Sequence, residues 1–196
     1  MKRFLDILIA LIVLVFFLPF GLILALCIML ESRGGVFYFQ ERIGKNGKPF
    51  RLLKFRTMRP NADTLGKLTI GARDPRITRI GVFLRKAKLD EFPQFLNVLR
   101  GEMSVVGPRP EVSEYVRKYS EAQRKVLEYK PGITDVASIT YFEENALLAQ
   151  SANPEKTYVE EIMPEKIRIN LEYQLTATVW TDLTVIWRTA IRLLFK

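Results

Sequence analysis

Histidine is absent from the sequence, and cysteine occurs once, at Cys27. Without histidine, the protein has no Ser-His-Asp triad, no HExxH zinc site and no imidazole acid–base chemistry. A single cysteine also excludes an internal disulfide and a cysteine-based zinc cluster, which fits a reducing compartment or a membrane. Any catalysis must therefore use Asp, Glu, Lys, Arg, Tyr or Ser side chains, or a metal ion bound by oxygen ligands.

Acidic residues are the minority among the charged side chains. The sequence has 21 Asp and Glu against 30 Lys and Arg, which gives a formal net charge of +9 at pH 7. This excess of positive charge predicts a polyanionic partner. The candidates are a nucleic acid, an anionic lipid and a phosphorylated substrate. The length of 196 residues suits one domain with a sizeable core and a short appendage.

The N-terminal segment is the longest apolar run. Phe4 to Leu30 contains one charged residue, Asp6, and exceeds the ~20 residues that a membrane helix needs. A cleaved signal peptide is disfavoured because the run is too long and lacks a clear cleavage site. Pro19 predicts a kink. The segment then either crosses the membrane once as a bent helix or enters it and returns to the same side. Basic residues flank both of its ends, beginning with Lys2 and Arg3, and are compatible with the second alternative.

A β-hairpin is predicted over residues 36–58, because aromatic and β-branched residues flank an Asn46-Gly47 turn. Lys54 and Arg56 are two positions apart and so share one face of a strand. They either converge on a bound anion or are two solvated cations.

Capping residues and apolar periodicity define the remaining elements. Helices are predicted after a Thr78 N-cap, over Leu89–Gly101, from near Pro110, over Glu165–Gln174 and over Trp180–Lys196. Polar loops are predicted over Asn61–Arg73 and Glu143–Ala152. The last helix has an apolar side with two tryptophans and a basic polar side, which suits either the protein core or a membrane surface.

Two adjacent carboxylates, Asp90 and Glu91, are the strongest candidates for a site. Because proline is tolerated only in the first turn of a helix, Pro93 puts both acids at or just before a helix N-terminus. At that position the two acids either stabilise the helix N-terminus or take part in a reaction. Adjacent side chains on a helix point about 100° apart, so the two acids can have different chemical roles. Arg109, stiffened by a proline on each side, is the best candidate to offset phosphate charge.

The sequence resembles the small members of the monotopic phosphoglycosyl transferase superfamily of bacterial sugar transferases. The resemblance rests on the proline-containing apolar segment and on four motifs that cover nearly the whole chain. These motifs are FYFQERIGKNGKPFRLLKFRTM, DPRITRIGVFLRKAKLDEFPQFLNVLRGEMSVVGPRPE, KPGIT and the late NLEY with TDL. Three departures are Leu18, where many members have Ser, the run GITDVASITYFEEN, which replaces a commoner pattern, and Asn170, where many have Asp.

The resemblance implies a reaction and roles for the residues. A UDP-sugar donates its sugar 1-phosphate to undecaprenyl phosphate, UMP is released and Mg²⁺ is required. Asp90 would be the nucleophile that forms a covalent phosphosugar-aspartate, while Glu91 assists and both acids bind the metal. Pro19 would bend a re-entrant membrane helix. The predicted ligands of the substrate phosphates are Arg109, Lys54, Arg56 and Arg76.

The predicted fold is α+β and mostly helical. It combines an N-terminal re-entrant helix-break-helix over residues 1–32 with a catalytic domain over 33–196 that contains a small β-hairpin and amphipathic interfacial helices. The expected location is the cytoplasmic face of a bacterial inner membrane, with membrane lipids as partners and no nucleic acid. Two other hypotheses remain: a membrane-anchored nucleic-acid binder, suggested by the net charge, and a non-enzymatic scaffold.

Overall fold

A computed structural model describes residues 1–60 and 74–195, so the predicted loop Asn61–Arg73 lies outside the described residues. The helices are α1 (Lys2–Glu31), α2 (Arg79–Lys86), α3 (Gln94–Arg100), α4 (Ser113–Val116), α5 (Glu121–Arg124), α6 (Val136–Thr140), α7 (Glu144–Gln150), α8 (Pro154–Thr157), α9 (Met163–Thr176) and α10 (Val179–Leu194). The strands are β1 (Phe37–Ile43), β2 (Pro49–Phe55), β3 (Ser104–Val106) and β4 (Gly132–Thr134). The fold is therefore mostly helical, with the antiparallel hairpin β1–β2 and a short parallel pair β3–β4.

The apolar N-terminal segment forms one continuous helix. Pro19 lies inside α1, whereas the sequence pattern predicted two helices separated by a break. A proline removes one backbone hydrogen bond, and the remaining turns of this long helix keep it intact around that position. With a rise of about 1.5 Å per residue, α1 extends roughly 45 Å and is long and apolar enough to span a membrane.

The first turns of α1 are bonded to distant parts of the chain. The Lys2 ammonium lies 2.5 Å from a carboxylate oxygen of Asp182, on α10. The Asp6 carboxylate is buried and accepts hydrogen bonds from the Ser104 hydroxyl and the Val105 amide, both at 2.9 Å. A buried carboxylate with such partners is satisfied, so Asp6 fixes the start of α1 against β3.

The last turn of α1 is bonded as firmly. The Glu31 carboxylate accepts hydrogen bonds from the Arg79 and Ile80 amides, at 2.6 and 2.7 Å, and so satisfies free amides in the first turn of α2. The Arg56 guanidinium donates to the Ser32 carbonyl at 2.7 Å, just beyond the end of α1. Both ends of the apolar helix thus contact the same body of the protein. The boundary predicted between residues 32 and 33 stays a prediction.

Two helices expose extended apolar surface. Between its anchored ends, α1 exposes most of its large apolar side chains, including Phe4, Val15, Phe16, Leu18 and Leu30. On α10, Trp180 is 79% exposed and Trp187 is 67% exposed. The tryptophan side of α10 therefore does not form protein core, and the membrane-surface alternative agrees with its exposure.

Helix α3 is fixed to the hairpin by Asn97, which is fully buried. Its side-chain oxygen accepts from the Leu53 amide at 3.0 Å, and its side-chain nitrogen donates to the Arg51 carbonyl at 2.8 Å. The Asn97 side chain thus satisfies one backbone N–H and one backbone carbonyl of β2, in the way that a neighbouring strand would. These contacts hold the middle of α3 against β2 at Leu53, the residue that precedes Lys54.

A close approach of two glycines fixes the segment before Arg109. A Cβ atom on Gly132 would lie 2.1 Å from the Gly107 nitrogen, so a larger residue would push the two backbones apart. The Gly132 amide donates to the Pro108 carbonyl at 3.0 Å. The backbone that presents Arg109 is therefore held by β4 as well as by its two prolines.

Several boundaries differ from the sequence predictions. The Thr78 N-cap, the helix end at Gly101 and the hairpin are confirmed. The predicted loop Glu143–Ala152 is wrong, because α7 forms there and buries Leu148 in a core that includes Tyr115 of α4 and Ile167 of α9. The helix expected near Pro110 begins at Ser113.

Candidate functional site

The two carboxylates lie in a short link between α2 and α3. Lys88 adopts a left-handed conformation with φ 56°, and Leu89–Glu91 then form a single turn of 3-10 helix before α3. Such backbone is rare for a residue with a side chain, so surrounding contacts must hold it. The turn directs both acids toward the open end of the hairpin.

Glu91 is the centre of an ion-pair cluster. Both guanidinium nitrogens of Arg109 bind its carboxylate, at 2.5 and 3.2 Å, and the Lys54 ammonium lies at 3.0 Å. Burial acts to raise the pKa of Glu91, but Arg109 and Lys54 outweigh it and hold that pKa well below its usual range. The charge of Glu91 in turn raises the pKa of Arg109, while burial lowers the pKa of Lys54. Ionised Glu91 therefore positions both cations.

Asp90 has a contrasting environment. It is only 7% exposed, and its Oδ1 atom has no hydrogen-bond partner within the described ranges. Burial raises the pKa of Asp90 above its usual value, although the positive charge of Lys54 opposes the shift. Arg85 and Lys88 also favour the ionised form. Among the described residues, this carboxylate thus keeps one oxygen without a partner, in a positive and partly dehydrated environment.

Helix capping does not explain the acids. Pro93 is the N-cap residue of α3, and no side chain caps that helix in the described part of the chain. The Glu91 oxygens bind cations rather than backbone amides, and Oδ1 of Asp90 accepts no hydrogen bond from the described residues. A capping role would have placed a carboxylate on a free amide of the first turn.

A cavity of about 410 Å³, which we call the polar cavity, opens beside the carboxylates. Its walls come from β1, β2, α7, α9 and the link between α2 and α3, and they include Gln40, Arg42, Asp90, Glu91, Arg109 and Lys166. Cations on several walls favour a ligand with more than one negative charge. The volume is within the usual range of small-molecule sites.

A second polar network lines the far wall of the polar cavity. The Tyr158 hydroxyl donates a hydrogen bond to the Glu111 carboxylate, and Arg42 pairs with Glu111 at 3.5 Å. Tyr158 begins a π-helical turn, Tyr158–Ile162, a geometry that often occurs at functional sites. Burial, followed by the charge of Glu111, raises the pKa of Tyr158, so the phenol stays protonated as a hydrogen-bond donor.

The four predicted phosphate ligands separate into two pairs. Lys54 and Arg109 meet at Glu91. Arg56 lines the polar cavity, but its guanidinium is bonded to carbonyls at the end of α1, such as that of Ser32. Arg76 pairs with Asp74 at 2.5 Å, and its hydrogen bond lowers the pKa of Asp74 to about 2. The proposed phosphate contacts of Arg56 and Arg76 therefore stay predictions, and the structure gives both side chains structural partners.

Several site residues were missed from the sequence. Arg85 and Lys88 are part of a basic helix and its end, and only the backbone reversal at Lys88 brings them to Asp90. Arg42 and Tyr158 reach the polar cavity from elements more than 100 positions apart. Arg42 lies within the motif FYFQERIGKNG, and its place in that motif was the sequence feature that could have identified it as a site residue.

The paired acids beside a cavity rich in cations, together with an exposed apolar helix, suit an enzyme that acts on an anionic substrate at a membrane surface. The model of the bacterial sugar transferase family matches residues 1–196, so the chain belongs to that family.

Curated relatives agree with this membership. The chain is 37% identical over 199 residues to the UDP-glucose:undecaprenyl-phosphate glucose-1-phosphate transferase of Caulobacter vibrioides, with 98% of this chain and 69% of the relative covered. It is 35% identical over 195 residues to the enzyme of the same name from Escherichia coli K12, with 98% and 40% covered. An Aeromonas hydrophila relative, named UDP-N-acetylgalactosamine-undecaprenyl-phosphate N-acetylgalactosaminephosphotransferase, is 34% identical over 194 residues, with 96% and 42% covered. The chain thus spans between 40% and 69% of the length of these relatives.

Proposed function

We propose that this chain is a phosphoglycosyl transferase that moves a sugar 1-phosphate from a UDP-sugar to undecaprenyl phosphate and releases UMP. The names of the relatives support the two substrate classes. The observation that carries the proposal is the buried Asp90 carboxylate, one oxygen of which has no hydrogen-bond partner among residues 1–60 and 74–195, beside a cavity lined with cations. These features suit a nucleophile that attacks a diphosphate.

The reaction proceeds in two displacements at one phosphorus atom. An Asp90 oxygen attacks the sugar-bearing phosphorus, the bond from this phosphorus to the UMP oxygen breaks, and UMP leaves with that electron pair. A phosphate oxygen of the lipid then attacks the same phosphorus and releases Asp90. Both nucleophiles are already anions, so neither step needs a histidine base.

Charge repulsion is the main obstacle to the first step. A carboxylate and a phosphate oxygen repel by about 4 kcal/mol at 4 Å in a partly screened site. Lys54, Arg85 and Lys88 place positive charge around Asp90 and lower this cost. Arg109, whose side chain is 32% exposed, is held by Glu91 and reaches the polar cavity, where it would bind the diphosphate.

The donor set also fits Mg²⁺. This ion is usually bound by one or two carboxylates together with substrate phosphate oxygens. In the described ranges, no group of three potential protein ligands exists, so two carboxylates and the diphosphate would have to suffice. Asp90 and Glu91 are the residues that would hold the ion. When bound, Mg²⁺ would neutralise charge on the diphosphate.

The proposed membrane arrangement is monotopic. The continuous helix α1 is embedded in the cytoplasmic leaflet of a bacterial inner membrane with both ends on the cytoplasmic side, because both ends are bonded to the same body of the protein and Phe17, near its middle, stacks on Phe92 at 4.0 Å. The test uses a Cys27→Ser background with single cysteines at Lys2 or Arg33. Both positions should react with an impermeant maleimide only from the cytoplasmic side. Labelling of the two positions from opposite sides would show that α1 crosses the bilayer.

The activity is tested with purified protein, undecaprenyl phosphate, Mg²⁺ and a panel of UDP-sugars, with UMP as the readout. One UDP-sugar should give UMP release, and Asp90→Asn should reduce it by on the order of 10³-fold or more. Intact-protein mass spectrometry without acceptor should find a phosphosugar on wild-type protein and none on Asp90→Asn. Near-normal turnover of pure Asp90→Asn would remove Asp90 as the nucleophile.

A further inference from the structure

A second cavity of about 380 Å³, which we call the apolar cavity, lies on the other side of the carboxylates. Its walls come from α3, α6 and α10 and from the segments before α3 and after β3. Its apolar lining includes Phe92, Phe95, Ile133, Ile139, Ile186 and Leu193. The residues common to the polar and apolar cavities are Lys88, Glu91, Arg109, Glu144, Asn145 and Lys166. Two spaces of opposite chemical character therefore meet at the ion pairs Arg109–Glu91 and Lys166–Glu144.

The apolar cavity has a cationic rim. The Lys88 ammonium lies 5.8 Å from the centre of the Phe142 ring, and the Arg192 guanidinium lies 5.3 Å from the same centre. An aromatic ring attracts cations through its negative face, so Phe142 keeps both charges near the lining. A ligand that suits these walls has an apolar body and an anionic end.

The walls of the apolar cavity are continuous with the exposed apolar helices. One side of α10 lines the cavity through Ile186 and Ala190, while Trp187 points outward and is 67% exposed. On another wall, the Phe92 ring stacks on Phe17 of α1 with centroids 4.0 Å apart. A lipid chain in the surrounding leaflet would thus contact the same helices that form the cavity.

We propose that the apolar cavity binds the isoprene units nearest the phosphate of a polyprenyl phosphate, with the phosphate beside Lys88 and Arg192. The proposal rests on the proposed function and adds the place of the acceptor. The uracil and ribose of a nucleotide need hydrogen-bond partners, which suit the more polar walls of the polar cavity, where Gln40 lies. A volume of about 380 Å³ is at the small end of ligand sites, so it takes the head of a long chain only.

The first test fills the apolar cavity. Ala190→Phe places a ring in the lining, and Ile191→Phe is the matched control on the same helix, since Ile191 is exposed and does not line either cavity. We expect Ala190→Phe to raise KM for undecaprenyl phosphate at least about tenfold. Its KM for the UDP-sugar and all constants of Ile191→Phe should stay within about twofold of wild type. An unchanged acceptor KM, or an equal rise of both KM values, would overturn the proposal.

The second test does not depend on turnover or on Ala190. Wild-type protein is crosslinked with a diazirine-bearing farnesyl phosphate, and the labelled peptides are mapped by mass spectrometry. Labels on α6 and α10 that undecaprenyl phosphate competes away support the proposal. Labels confined to the outer face of α1, or equal competition by a phospholipid, contradict it. If wild-type protein releases no UMP with any UDP-sugar, the proposed function fails, and this map still decides whether the apolar cavity binds a polyprenyl phosphate.

Discussion

Replacing each acid of the pair by its amide should change stability in opposite directions. Asp90→Asn removes a charge whose burial is unfavourable, as its raised pKa shows. Glu91→Gln removes a charge that holds Arg109 and Lys54, as its lowered pKa shows. The two side chains are adjacent and nearly equal in shape to their amides, so the contrast isolates the effect of charge.

The magnitudes follow from the contacts. Loss of one partner from a buried ion pair costs about 3–5 kcal/mol, and Gln keeps one acceptor, so we expect about 3 kcal/mol for Glu91→Gln. For Asp90→Asn we expect a gain of about 1 kcal/mol, since three nearby cations already offset most of the burial cost. At roughly 2–4 °C per kcal/mol for a chain of this size, Tm falls by about 6–12 °C in the first variant and rises by about 2–4 °C in the second.

The assay is thermal unfolding in detergent micelles between pH 5 and pH 8, followed by intrinsic fluorescence. An acid with a raised folded pKa loses stability as pH rises through its unfolded and then its folded pKa. The advantage of Asp90→Asn should therefore shrink as pH falls. Glu91 has a lowered folded pKa, so its contribution persists across this range and is lost only at more acidic pH. A lower Tm for Asp90→Asn together with an unchanged Tm for Glu91→Gln would refute the reasoning.

Four further predictions concern activity and packing. Arg109→Lys should lower kcat/KM for the UDP-sugar by about 10²-fold, because lysine lacks the two-pronged geometry, and a change below threefold would contradict this. UMP release should fall as pH is lowered, with an acid limb above the ordinary value of about 4 for Asp, since protonated Asp90 cannot attack; a pH–rate profile checks it. EDTA should abolish UMP release and Mg²⁺ should restore it, whereas full turnover in EDTA would exclude a divalent requirement. Asn97→Leu should cost about 2–3 kcal/mol in denaturant unfolding because it leaves buried groups of β2 unpaired.

Local features of the site were predictable because they depend on short-range chemistry. The Asn46-Gly47 turn, the Thr78 cap and the glycine at position 101 each require a particular backbone geometry, and all three predictions were correct. The position of the acids just before a helix followed from Pro93 in the same way.

Longer-range features were not predictable from spacing. Whether Lys54 and Arg56 converge on one anion depends on what packs above the strand, and the end of α1 takes Arg56 as a partner for its carbonyls. The α7 segment is polar enough to be predicted as a loop, yet the burial of Leu148 stabilises a helix there. The left-handed backbone at Lys88 could not be predicted, because this position is not a glycine.

The anchoring of the first helix imposes an order on biogenesis. The bond from Lys2 cannot form until Asp182 has been synthesised, 180 positions later. The bond to Asp6 likewise requires Ser104, 98 positions later. At about 5–20 residues per second, a ribosome needs roughly 9–36 s to make the partner of Lys2. In the proposed monotopic arrangement, lipid would be the main partner of the nascent apolar helix during that interval, and the leaflet would hold this helix while the rest of the chain is made.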